Sequence, residues 1–234
     1  MTAPPLIRLP QCGSTQDEVH RLGVAGAAHG TAVVAGEQTT GRGSRGRTWQ
    51  SPAGGLWLSL LWRPEGARGI ELLSLRTGLA LAALFDGIGG LPPLRLKWPN
   101  DLMLGEAKVG GVLCEARWSG ETADWVAIGV GLNVWNQPPM GTRVAATSLG
   151  TWRPDLEPAE LAVPVQAALA RIPALAALTP EELVAWSERD WLKGRHLTAP
   201  YPGTATGISA QGELLVESSA GVVRSAVSGM VELA

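Results

Sequence analysis

Three arginines, three glycines and a tryptophan fall within nine residues of the stretch Glu37-Gln-Thr-Thr-Gly-Arg-Gly-Ser-Arg-Gly-Arg-Thr-Trp49. Glycines let a backbone turn tightly and bring its N–H groups close to a ligand. Arg42, Arg45 and Arg47 add forks of donors that match phosphate or carboxylate oxygens. The chemistry to expect is the wrapping of an anion, with a phosphate-bearing ligand first. The same composition also fits a solvated hairpin or a strip lying against nucleic-acid backbone.

A second segment, Lys97-Trp-Pro-Asn-Asp101, ends an apolar run with a lysine, a proline turn and two polar side chains. A lysine at a strand end could neutralise a carboxylate and a phosphate brought together. Asp101 would then orient Lys97 or help hold Mg²⁺. A proline turn carrying a solvated Asn-Asp pair is the plainer account. Lys108-Val-Gly-Gly-Val-Leu113 and Gly129-Val-Gly-Leu-Asn133 place glycine pairs inside strand-like runs. Glycine there signals close approach of a ligand or another backbone, or a bulge. Asn133 ends its run in an amide that could read the edge of adenine.

These segments need a frame that sets them side by side. Ser14-Thr-Gln-Asp17 resembles a capping box opening a short helix that runs toward Gly30. Thr31 to Glu37 and Leu56 to Trp62 read as strands delivering and receiving the Gly/Arg loop. Ile70 to Ile88 carries Leu72, Leu75, Leu79 and Ala83 at helical spacing. Leu94 to Trp98 is a strand cut by Pro99, and the runs Lys108 to Trp118 and Asp124 to Trp135 make a hairpin turning at Gly120 to Thr122. Pro154 to Leu192 is Ala/Leu-rich, and Pro164, Pro173 and Pro180 divide it into short helices. Pro138-Pro139 marks a rigid turn. From Gly194 the texture changes to short Val/Leu/Thr runs between glycines, as in a small antiparallel barrel.

Composition narrows the classes. The 234 residues are 45% hydrophobic and 17% charged with a formal net charge of −2, so there is no global positive field of the kind a dedicated nucleic-acid binder carries. No apolar run is long enough to span a bilayer and the N-terminus lacks signal-peptide features, so a cytoplasmic location without membrane contact is expected. Two cysteines, Cys12 and Cys114, and three scattered histidines suggest neither a disulfide framework nor a zinc site, and both thiols read as core fillers. Trp152, Trp186 and Trp191 read as packing residues. Of 19 basic residues only Lys97, Lys108 and Lys193 are lysine. A lysine kept among so many arginines points to a need for a compact ammonium.

In order and spacing, Ser14-Thr15, Gln38-Thr-Thr-Gly-Arg-Gly, Lys97-Trp-Pro-Asn-Asp, Lys108-Val-Gly-Gly-Val-Leu and Gly129-Val-Gly-Leu-Asn resemble the catalytic domain of biotin protein ligases (biotin–[acetyl-CoA-carboxylase] ligases). The resemblance covers most of residues 6 to 135. It implies an α/β (α+β) fold: a mixed sheet with helices packed on one face, as a catalytic domain over 1–190, and an SH3-like barrel over 191–234. It implies that biotin and ATP, with Mg²⁺, form biotinyl-5′-AMP, and that the biotinyl group passes to a lysine of a biotin carboxyl carrier protein. Ser14, Thr15 and Gln38 would bond the ureido ring, and Gly111, Val112 and Leu113 would line the biotin pocket through backbone. Arg42, Arg47 and Lys97 would be catalytic, touching biotin or phosphate. Trp49 would stack on adenine and Asn133 would bond its edge.

Two departures stand out. Ser44 occupies the place of the family loop's second arginine, so either Arg45 substitutes from the next position or the adenylate is held less tightly. Gln16 replaces an asparagine, a change expected to touch the helix cap more than the pocket. Only thirteen residues precede Ser14, so neither a DNA-binding domain nor repressor activity is expected. Relatives often form homodimers by sheet extension. The rival readings are a lipoate- or octanoyl-protein transferase and a biotin or nucleotide sensor without turnover.

Overall fold

The structure, a computed structural model, describes residues 3–64, 68–138 and 144–234. Pro139, half of the expected proline turn, lies outside them. The first part of the chain runs β1 (Leu6–Cys12), α1 (Thr15–Val24), β2 (Ala32–Gln38), β3 (Gly55–Trp62), α2 (Leu73–Asp86), β4 (Leu94–Lys97), β5 (Asp101–Leu104), β6 (Ala107–Ser119), β7 (Thr122–Asn133), α3 (Pro158–Leu169) and α4 (Pro180–Arg189). The seven strands form one sheet in the order β1-β2-β3-β7-β6-β5-β4, in which only β1 and β2 are parallel. The sheet is therefore mixed, as expected.

Alternation along the strands assigns the two faces. Leu56, Leu58, Leu60 and Trp62 of β3, with Val126, Ile128, Val130 and Leu132 of β7, belong to the main core with α2 and α3. Leu61, Trp125 and Ala127 point the other way and pack with Val19 of α1. Helices on one face thus describes α2, α3 and α4, whereas α1 covers part of the opposite face. The functional face is the one that α1 leaves open.

Ser14 caps α1 as its composition suggests, accepting from the Gln16 N–H. Asp17 does not complete a box; it binds Arg42 instead. The helix stops at Val24, short of Gly30. The segment after Pro99 is a further strand, β5, that the sequence reading did not separate. Pro164 does not divide helices but sits inside α3. Its side chain is exposed while Leu161, Ala162 and Val165 are buried, so the backbone bond it removes lies toward water and the buried face carries the helix through.

The remainder forms a five-stranded antiparallel sheet from β8 (His196–Ala199), β9 (Gly203–Ile208), β10 (Leu214–Glu217), β11 (Val223–Ala226) and β12 (Glu232–Leu233), in the order β11-β10-β9-β8-β12. This is the small antiparallel unit the C-terminal texture suggested, SH3-like as the resemblance implied. Leu197, Ala205, Leu214 and Val216 share the main core with α2 and α4, and the buried Trp98 indole donates to the Gly212 carbonyl at 2.9 Å. Trp186 and Trp191 are buried in that core and Trp152 packs against it, as their type predicts.

Candidate active site

Strand register places the separated motifs in one row. Lys97 pairs with Asp101, Asp101 with Gly111, and Gly111 with Gly131, so four strands contribute adjacent positions at one end of the sheet. On the far side of that row, β1 and β2 end together at Cys12 and Gln38, delivering Ser14 and the Gly/Arg loop. The result is a cavity of about 720 Å³, lined by all the residues proposed from sequence, from Ser14 and Thr15 through Arg42, Arg45, Arg47 and Trp49 to Lys97, Asp101 and Asn133. Gly229 to Leu233 of the C-terminal unit line it too.

At the α1 end the polar groups form a directed chain. The Gln38 Oε1 accepts from both the Thr15 N–H (2.8 Å) and the Thr15 hydroxyl (3.0 Å). The single Thr15 hydroxyl proton is thus spent, so at 2.8 Å the Ser59 hydroxyl donates to Thr15. Gln38 donates in turn to the Ser51 Oγ at 2.7 Å. Ser59 was missed in the sequence, although a lone serine inside the apolar run Leu56 to Trp62 must find a partner and was itself the signal.

Gln16 is a correction. It is not confined to the cap; its side chain lines the cavity, 4% exposed, and its amide donates to the Leu113 carbonyl at 2.8 Å. Gly129 and Gly131 make room for two such side chains. A Cβ on Gly129 would lie 2.5 Å from the Gln16 Nε2, and one on Gly131 would lie 2.7 Å from the Trp49 Nε1. The glycine pair therefore seats an amide and an indole rather than a bulge. The Gln16 Oε1 and the Trp49 Nε1 are buried without a hydrogen-bond partner among the described residues, an acceptor and a donor that cost free energy until something pairs them.

The expected backbone lining of the pocket is partly committed elsewhere. Asn100 clamps Val112 on both sides, its carbonyl accepting from the Val112 N–H at 2.9 Å and its amide donating to the Val112 carbonyl at 2.8 Å. With the Leu113 carbonyl taken by Gln16, these residues shape the cavity more than they offer polar groups to it. Asn133 is also engaged, donating to the Thr147 carbonyl and accepting from the Asn136 amide. Among the described residues each of its polar atoms keeps one unused bonding position.

Charge is distributed differently from the sequence expectation. Arg42 binds Asp17 at 2.6 Å and Glu115 at 2.8 Å, so its fork fastens the loop to α1 and β6. Arg45, at a positive φ of 61°, lines the cavity and donates to the Gly229 carbonyl. Arg47 bonds the Ser44 carbonyl (3.2 Å) and Oγ (3.0 Å), both within the loop. Lys97, with its side chain 9% exposed, lies 3.8 Å from Asp101 and 5.6 Å above the Trp191 ring. Burial pushes the Lys97 ammonium below the ordinary lysine value; Asp101 pulls it back, and Lys108, Arg47 and Arg195 add to the depression. Lys108, which the sequence marked as unusual without a role, bonds Asp101 inside the same cavity. Cys114 is the inert filler expected, its thiol pushed up to about 12 by burial.

The geometry, a chain of hydroxyl and amide groups beside a cluster of cations and an indole, suits a polar heterocyclic acid on one side and a nucleotide on the other. Residues 10–133 match the model of the biotin/lipoate A/B protein ligase family. The chain is 33% identical over 226 residues to the bifunctional ligase/repressor BirA of Bacillus subtilis, covering 89% of this chain and 68% of that one. It is 38% identical over 139 residues to the biotin–[acetyl-CoA-carboxylase] ligase of Paracoccus denitrificans, covering 57% of this chain and 56% of that one. The biotin protein ligase of Aquifex aeolicus in complex with biotin and ATP superposes with a TM-score of 0.81 at 28% identity, over 98% of this chain and 99% of the other. That of Leishmania major in complex with biotinyl-5-AMP gives 0.65 at 28% identity, over 96% and 99%.

Proposed function

The chain belongs to the biotin/lipoate A/B protein ligase family, and on that premise we propose that it is a biotin protein ligase that activates biotin with ATP to biotinyl-5′-AMP and passes the biotinyl group to a lysine of a biotin carboxyl carrier protein. What carries this reading is the single cavity in which the Thr15–Gln38–Ser59 chain, the Trp49 indole and the Lys97–Asp101 pair meet.

In the first step a biotin carboxylate oxygen bonds the α-phosphorus while the bond to the β-phosphate oxygen breaks and pyrophosphate leaves. Two anions must approach, and Lys97, held in a largely buried site, lowers that cost and meets the charge that builds on the phosphoryl oxygens. Arg47 adds a second cation once its bonds to Ser44 are exchanged for the ligand. In the second step the carrier lysine attacks the acyl carbon and AMP departs. Neither step needs a covalent enzyme intermediate.

Mg²⁺ fits as a companion of the nucleotide. Among the described residues no cluster of three or more His, Cys, Asp or Glu side chains could hold a metal ion. Asp101 is paired with Lys108, so it would be shared with that ammonium and the phosphates would supply most of the oxygens around the ion. Among the described residues no helix is long and apolar enough to cross a membrane.

The test is ATP–pyrophosphate exchange with biotin, lipoate or octanoate as the only acid. Exchange with biotin alone is the expected result. Exchange with lipoate or octanoate instead moves the chain to the transferase branch of the family, and no exchange with any of them leaves a sensor.

A further inference from the structure

Trp191 is buried like a packing residue, yet two cations approach its ring. The Lys97 ammonium lies 5.6 Å from the ring centre and the Arg195 guanidinium carbon 3.7 Å from it. A cation within about 6 Å of an indole centre is attracted by the negative face of the ring, and more strongly where water is excluded. Among the described residues no hydrogen bond holds the Lys97 ammonium; its neighbours are the ring and Asp101 at 3.8 Å. The linker between α4 and β8 fixes the indole beside it. The Trp191 N–H donates to the Leu96 carbonyl at 2.9 Å, so the backbone that carries the ring is bonded to the residue next to Lys97. Asp190 makes a parallel bridge with Leu96, and the Arg95 guanidinium donates to the Asp190 carbonyl at 2.7 Å. The indole N–H donates to the Gly105 carbonyl, 3.0 Å away in the turn after β5. Arg195 closes over the ring, donating to the Trp191 carbonyl and to Glu106, both at 2.7 Å.

We propose that Trp191 is a positioning residue for the adenylation step, its ring confining the Lys97 ammonium where carboxylate and phosphate meet, and that Arg195 is the clamp that holds the ring. This rests on the ligase reading. Neither residue lines the cavity, whereas Lys97 does, so both act through Lys97. An ammonium on a flexible four-carbon stem must be confined if it is to meet two anions at once. A ring does this without taking a hydrogen bond, which leaves all three N–H donors of Lys97 for the ligands. A carboxylate in the same place would occupy at least one of them.

Trp191→Leu, Trp191→Phe and Arg195→Met should each be made alone and together with Lys97→Met. The readouts are biotin-dependent pyrophosphate exchange, calorimetric binding of a non-hydrolysable ATP analogue, and melting temperature. Trp191→Leu is expected to lower kcat/KM for ATP about three- to thirtyfold, as for one lost cation–π contact in a water-poor site. Trp191→Phe keeps a ring and should stay within about threefold. Arg195→Met can cover the ring but cannot tie it, and should lose about two- to tenfold. On the Lys97→Met background the same changes should cost less than about twofold, because a residue that acts through Lys97 then has nothing to act on. Losses of equal size with and without Lys97, or equal losses in Trp191→Phe and Trp191→Leu, would overturn the proposal in favour of packing alone. Should Trp191→Leu fail to melt cooperatively, Arg195→Met, at a half-buried side chain, carries the same cycle. If the unmodified protein shows no exchange, the ligase reading fails first, and the cycle is read in binding of the ATP analogue: dependence on Lys97 upholds the positioning role and additive losses overturn it. No binding by the unmodified protein overturns both.

Discussion

Two glycines two residues apart on β7 should separate the two substrates. A methyl group added at Gly131 would sit 2.7 Å from the Trp49 Nε1 and 3.0 Å from its Cε2. Ordinary carbon contacts need about 3.5–4.0 Å, so the indole must retreat by about 1 Å. Trp49 belongs to the loop rather than to a strand, and the loop gives way before the sheet does. Stacking of a base on an aromatic ring is worth about 1–3 kcal/mol, and a displaced ring forfeits the lower part of that range. Gly131→Ala is therefore expected to raise the KM for ATP about five- to thirtyfold, at about 1.4 kcal/mol per tenfold, with biotin affinity nearly unchanged. At Gly129 the methyl group would be 2.5 Å from the Gln16 Nε2, breaking its 2.8 Å bond to the Leu113 carbonyl. That leaves a buried amide and a buried carbonyl unpaired, about 1–3 kcal/mol, beside the Thr15–Gln38 chain. Gly129→Ala should accordingly weaken biotin and spare ATP. The assay is pyrophosphate exchange titrated in each substrate, with biotin binding followed separately. The reasoning is refuted if Gly131→Ala weakens biotin as much as ATP, or if the two variants give the same profile.

Other expectations follow from single contacts. Because the buried Lys97 ammonium is depressed and works only when protonated, exchange should decline on the alkaline side at a lower pH than an ordinary lysine would impose. Asp101→Asn, which removes the attraction, should move that decline to still lower pH, and Lys108→Met, which removes a repulsion, should move it higher; a pH profile of kcat/KM checks both signs. Arg45→Ala frees Gly229 from the loop and should speed dissociation of preformed biotinyl-5′-AMP with little change in melting temperature, since Arg45 is exposed. Arg76, 2% exposed, binds Glu182 and the carbonyls of Leu175 and Ala177. Arg76→Met leaves Glu182 without its buried partner, so the expected loss is about 3–5 kcal/mol and a melting temperature lower by about 6–20 °C, with KM values of the folded fraction unchanged.

Local order was legible in the sequence because it is local. β-branched and apolar runs bounded by glycine located β2, β3, β6 and β7, and a helical stripe located α2. The short β5 escaped because it follows a proline turn at once and carries no alternation of its own. The residue types that line the cavity were legible too, in a Gly/Arg loop and a lysine at a strand end. Their partners were not. Arg42 meets Glu115 across 73 positions, Arg45 meets Gly229 across 184, and Gln16 meets Leu113 across 97. Nothing in residue spacing says which of several arginines will be claimed by a carboxylate made available by folding. Gln16 was placed at the cap for that reason: as the second residue of a helix its backbone belongs there, and only the register Leu113 to Gly129 shows that its side chain crosses the sheet.

The ties made by the loop explain why an arginine-rich segment need not be simply an anion trap. Arg42 fastens its first turn to Asp17 of α1 and Glu115 of β6, near the polar chain that receives the ring of biotin in the proposed reaction. Arg45 fastens its middle to the C-terminal segment that lines the other side of the cavity. Arg47 closes on Ser44 and carries the chain to Trp49. The loop thus joins three bodies, and any ligand that orders one end of it alters what the other end presents. Ser44 sits at the junction. An arginine there would bring charge to the phosphate but would remove the hydroxyl that accepts from Arg47, so Ser44→Arg exchanges a bond that organises the loop for one that grips the ligand. The present arrangement favours an ordered loop, while Lys97 and Lys108 bring positive charge to the same cavity from the strands of the sheet.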